Sequence, residues 1–127
     1  GASGVALCGT SHAVVPDAEK VLPKNMCPLI KSTYGFAYTE TCPYTWFSDL
    51  IIGETTCDGK KKMYELLNDI KETYVMQLPQ AQNREWASDA RYEECQLLKA
   101  KLEEMYDIEI KETSKEKHIR SYFPFKE

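Results

Sequence analysis

No Cys-x-x-Cys pair occurs anywhere in these 127 residues. That removes the local spacing by which zinc ribbons and ferredoxin clusters usually announce themselves. Basic charge is also scarce. Lys and Arg total 16 against 20 Asp and Glu, a formal charge of -4 with a pI of about 5.3. A nucleic-acid binder normally carries a basic face or run, so nucleic acid is not an expected partner. Apolar runs such as Leu50-Ile51-Ile52 are far too short to cross a bilayer, so no membrane is expected either. No basic stretch leading into an apolar segment opens the chain, and no secretory signal is read there. The chain does not begin with Met, so Gly1 reads as a processed, cut or partial start. Neither Gly53 nor Gly59 lies in a GxGxxG or Walker pattern, which argues against a nucleotide site.

What is present is an ordinary globular composition, 43% hydrophobic and 28% charged, with enough chain for one core. The five cysteines, Cys8, Cys27, Cys42, Cys57 and Cys95, are an odd number for a disulfide framework. Any metal site must therefore be assembled by the fold from separate loops.

Three short β-leaning runs stand out: Val5 to Cys8, Asp49 to Ile52 and Thr73 to Leu78. None alternates cleanly with polar residues, as expected of strands buried on both faces. Pro28 suits a helix N1 position, and a short helix to about Tyr34 is expected to end near Gly35. A second helix is expected from Gly59 to about Lys71, with Met63, Leu66, Leu67 and Ile70 forming its buried stripe and Asp58 its N-cap. A third should run from about Asn83 to Tyr106, with Cys95, Leu98, Leu102 and Met105 on one face. Strands alternating with helices predict an α/β fold, a small parallel sheet flanked by helices. Residues 114–127, charged and then aromatic with Pro124 among them, read as a frayed or foreign tail.

In an open parallel sheet, ligands bind beyond the carboxyl ends of the strands. Cys57 lies in such a strand-to-helix turn, and Cys27 directly precedes the helix expected at Pro28. Each sulfur would then face the positive end of a helix dipole, which favours thiolate. Two thiolates at two helix starts make half of an iron–sulfur site. The plainer reading is that a free cysteine is a small buried hydrophobe, and packing is the expected role of Cys95. Cys8 and Cys42 read chiefly as structural. His12 and His118 lack partners at metal-site spacing and are read as surface residues. Lys60-Lys61-Lys62 reads as a solvated helix start.

Three blocks then carry a resemblance. The first runs Leu22-Pro23-Lys24-Asn25-Met26-Cys27-Pro28-Leu29-Ile30-Lys31-Ser32-Thr33-Tyr34-Gly35-Phe36. The second is Cys42-Pro43-Tyr44, continuing from Phe47 through Gly53-Glu54-Thr55-Thr56-Cys57-Asp58-Gly59-Lys60-Lys61-Lys62 to Glu65. Val75-Met76-Gln77-Leu78-Pro79-Gln80 is the third. Together they resemble the 2-hydroxyacyl-CoA dehydratase / benzoyl-CoA reductase family, nearest the branch containing the double-cubane cluster proteins.

The resemblance implies a flavodoxin-like α/β domain beside a [4Fe–4S] cluster, in a cytoplasmic enzyme of anaerobic metabolism. An ATP-hydrolysing iron–sulfur activator would inject one electron, and a ketyl radical formed from a 2-hydroxyacyl-CoA thioester would lose water. The family's two N-terminal cluster cysteines match Cys27 and Cys57. Ser32, Tyr34 and Glu54 are carried as pocket candidates, and Cys42 as a residue behind the ligands. A third cysteine is expected from a C-terminal domain outside this chain, and a second dehydratase-like subunit or a homodimer partner is implied. Residues 1–113 thus read as the N-terminal domain of such a subunit, which by itself is expected to be inactive; truncation or a frame shift would explain 114–127. Two alternatives stand beside this reading: part of a double-cubane reductase of small molecules, or a metal-free interaction domain without catalysis.

Overall fold

The computed structural model describes residues 3–81 and 83–111. The boundary expected at 113/114, the tail 114–127 and His118 lie outside the described residues. Element order is α1 Val15–Ala18, α2 Pro28–Tyr38, α3 Pro43–Phe47, β1 Ile51–Glu54, α4 Asp58–Leu67, β2 Thr73–Met76 and α5 Trp86–Tyr106. β1 and β2 pair in parallel, Ile51 opposite Thr73 through Glu54 opposite Met76. α4 is the crossover, so β1-α4-β2 is a βαβ unit. The small α/β domain with a parallel sheet and flanking helices is as the sequence led us to expect.

The first expected strand is a correction. Val5 to Cys8 belongs to no ladder, and Val5 is exposed. This segment is held by side chains instead of strand pairing. Ser11 exchanges bonds with the buried Ser32 hydroxyl, which accepts the Ser11 N–H at 3.1 Å and donates to the Ser11 carbonyl at 2.7 Å. Gly9 sits so close to α2 that a Cβ there would lie 2.5 Å from Thr33 Oγ1.

Helix ends were corrected too. Pro28 does occupy the first turn of α2, but the helix runs past Gly35 to Tyr38. Gly35 is there for contact, because a Cβ would stand 2.4 Å from the Val14 carbonyl oxygen where α1 crosses α2. In α4 the N-cap is Cys57, not Asp58, whose carboxylate is exposed and pairs with Lys61 at 3.0 Å. Met63 and Leu67 enter the core as expected and Tyr64 joins them, whereas Ile70 lies beyond the helix and is exposed. α5 starts at Trp86, and Cys95 on it is exposed, which overturns the packing role expected of it. Leu98, Leu102 and Met105 are half-buried, since this helix touches the rest of the fold mainly along β2.

Candidate functional site

The site is built where α2 and α4 begin. Cys27 is the N-cap of α2, with an extended backbone (φ -51, ψ 131), and its carbonyl accepts the Lys31 N–H at 3.1 Å. Cys57 plays the same part for α4 (φ -136, ψ 126), its carbonyl accepting the Lys61 N–H at 3.1 Å. Neither side chain caps its helix, so both sulfurs are free for other work. Cys27 is exposed and Cys57 half-buried. Gly59 joins the two helix starts. A Cβ placed on it would meet Ile30 Cδ1 at 2.8 Å, Met26 Cγ at 3.7 Å and Cys57 Sγ at 3.9 Å. Gly59 thus has the Cys57 sulfur, Met26 and the first turn of α2 around it, and glycine at 59 lets α4 approach α2 that closely.

Glu54 fixes the turn between β1 and α4. Its carboxylate accepts from Lys60 Nζ at 2.6 Å and from the Thr56 N–H at 2.7 Å. The Lys60 ammonium, then the Thr56 donors, hold its carboxyl well below the usual range, at about 2. The other lysines of the run are also paired, Lys61 with Asp58 and Lys62 with Glu65. Thr55 ties the sheet's end together. Its hydroxyl accepts the Leu78 N–H at 2.9 Å, and its carbonyl accepts from Gln80 Nε2 at 2.7 Å.

Ser32 lines a small cavity with Pro28 and Leu29 at the start of α2, while Tyr34 and Cys42 are buried away from solvent. Ser32 spends its hydroxyl on Ser11. Tyr34 is in the core, stacked on Tyr38 with ring centroids 5.8 Å apart, and burial raises its phenol above the ordinary value. Cys42 is buried at the start of α3. Among the described residues, no three His, Cys, Asp or Glu side chains converge as a metal site. The two helix-start sulfurs suit iron by donor type but make up only part of a cluster's ligand set.

Comparison with known proteins decides the family. The family model described as 2-hydroxyglutaryl-CoA dehydratase, D-component, matches residues 1–123. The chain belongs to this D-component family. It is 50% identical over 112 residues to the Escherichia coli protein named "Putative dehydratase subunit YjiM", a match covering 88% of this chain and 29% of that protein. The chain therefore spans well under half the length of the curated relative it matches. The dehydratase resemblance read from Leu22 to Gln80 is in this way shown at the level of family. No helix among the described residues is long and apolar enough to cross a membrane.

Proposed function

We propose that this chain is a cluster-binding segment of a dehydratase D-component, with Cys27 and Cys57 as two thiolate ligands of a [4Fe–4S] cluster. The observation supporting this reading is that α2 and α4, whose N-cap residues are Cys27 and Cys57 with neither side chain used as a cap, begin against each other at Gly59. A third cysteine ligand is expected from outside this chain. Bound there, the cluster would supply a low-potential electron and an iron able to act as Lewis acid toward a 2-hydroxyacyl-CoA thioester.

This chain's own residues then have defined tasks. The positive ends of the α2 and α4 dipoles, at whose N-caps the two cysteines stand, would offset the charge of cluster-bound thiolates. The Glu54–Lys60 pair clamps β1 to the first turn of α4 and so holds Cys57 in place. Gly59 keeps the space between the two helix starts clear of a side chain. The partners proposed are an ATP-hydrolysing iron–sulfur activator and a second dehydratase-like subunit, working in the cytoplasm.

Anaerobic reconstitution with iron and sulfide tests the ligand assignment. The expected product is a brown protein whose visible absorbance and bound iron are lost in Cys27→Ala and in Cys57→Ala. A colourless wild-type chain favours the metal-free interaction domain, and absorbance retained in both variants sinks the assignment.

A further inference from the structure

We infer that Thr55 and Gln80 are positioning residues for Cys57, a hydroxyl and an amide that latch the segment after β2 onto the end of β1 and so hold the turn carrying that cysteine. Their role in binding a cluster rests on the reading of Cys57 as a ligand given above. Thr55 lies two residues before Cys57, whereas Gln80 comes from beyond β2.

Ladder register sets what a plain parallel pair would do at this end. The Ile51 N–H donates to the Glu72 carbonyl at 2.9 Å and the Thr55 N–H to the Met76 carbonyl at 3.2 Å. One more parallel step would send the Leu78 N–H to the Thr55 carbonyl. The chain departs from that pattern. The Leu78 N–H goes instead to Thr55 Oγ1 at 2.9 Å, and the Thr55 carbonyl accepts from Gln80 Nε2 at 2.7 Å. A side-chain hydroxyl has taken the place of the backbone acceptor, and a side-chain amide the place of the backbone donor. Thr55 is 5% exposed, so water competes little for these bonds.

The segment that Thr55 holds is anchored from its other side as well, because the Gln77 N–H donates to Glu94 Oε2 of α5 at 3.0 Å. The turn before Cys57 is therefore tied twice. Glu54 ties it to α4 through Lys60, and Thr55 ties it to the segment 77–80. Groups that stand behind a metal ligand orient it, and a thiolate offered to iron must be held in one place. Residue 55 must carry a hydroxyl for this purpose. Valine has the same shape as threonine but nothing that can accept the Leu78 N–H.

The test starts from the 127-residue chain without iron. Reduced protein is pulsed with iodoacetamide at one pH, and labelling of Cys57 and of Cys27 is read in the same sample by mass spectrometry. Thr55→Val and Gln80→Ala should each speed labelling of Cys57 by about fivefold, the change in open population expected when one net hydrogen bond is lost, and leave Cys27 unchanged. Gln80 is exposed, so its truncation spares the core. Thr55→Ser keeps the hydroxyl and should label as the wild type does. After anaerobic reconstitution with iron and sulfide, Thr55→Val and Gln80→Ala should give up iron to a chelator faster than wild type, and Thr55→Ser should not. Cys57 labelling that is unchanged or slower, that rises together with Cys27, or that Thr55→Ser fails to restore overturns the inference. A colourless wild-type chain whose Cys57 still responds selectively removes the cluster reading and leaves the latch on Cys57 standing.

Discussion

Gly53 offers a sharp test of how the sheet holds the site. It lies in the middle of β1, and a Cβ there would stand 2.6, 2.6 and 2.8 Å from three atoms of the Tyr64 ring. Tyr64 belongs to α4, is buried, and cannot swing away without opening the core. Glycine costs a strand about 0.5–1 kcal/mol relative to alanine, so Gly53→Ala in open space would stabilise the fold. Overpacking of this kind costs about 1–3 kcal/mol and wins. The net expectation is destabilisation by about 1–2 kcal/mol, a fall in urea midpoint of about 0.5–1 M. Tyr64→Leu removes the ring, destabilises by its own lost packing, and should cancel or reverse the cost of Gly53→Ala. A coupling of about 2 kcal/mol between the two positions is therefore expected in a double-mutant cycle of urea unfolding followed by circular dichroism. Equal cost of Gly53→Ala in both backgrounds, or stabilisation in the wild type, would refute the reasoning.

Other residues give shorter tests. Glu54 has a folded value of about 2 against an unfolded value near 4.5, so its stabilisation is present above pH 4.5 and lost as pH falls toward 2. With solvent screening of the Lys60 pair, it is worth about 1 kcal/mol, and acid titration of stability should show that loss in wild type but not in Glu54→Gln. Lys31 Nζ is buried between Glu19 Oε1 at 2.6 Å and the Lys24 carbonyl at 2.9 Å. Glu19→Gln strands that ammonium, and unfolding should show a loss of about 2 kcal/mol; no change would mean that Lys31 escapes to water. Cys95→Ser should alter stability by less than about 0.5 kcal/mol, because the thiol is exposed; a larger loss would place it in a buried contact.

Particular residues mark how far the sequence could be read. The βαβ unit was legible because Ile51-Ile52, the Met63–Leu67 stripe and Thr73 to Met76 carry their periodicity locally. Cys27 and Cys57 could be read as helix-start cysteines because Pro28 and the strand-to-helix turn mark those starts. Gly35 misled because a glycine serving close contact looks, in sequence, like a glycine serving a helix end. Val5 to Cys8 misled because its apolar run suits a strand, and only the fold shows that no ladder receives it.

Chain order and side-chain pattern by themselves determined the α/β class, the helix-start positions of two cysteines and the family to which the chain belongs. Tertiary structure alone decided that α2 and α4 begin side by side across Gly59, that Cys42 is buried, and that Cys95 is left in solvent. The physical reason is range. Helix and strand signals act over a few residues, whereas burial and the meeting of α2 with α4 depend on positions tens of residues apart, through packing that no local pattern records.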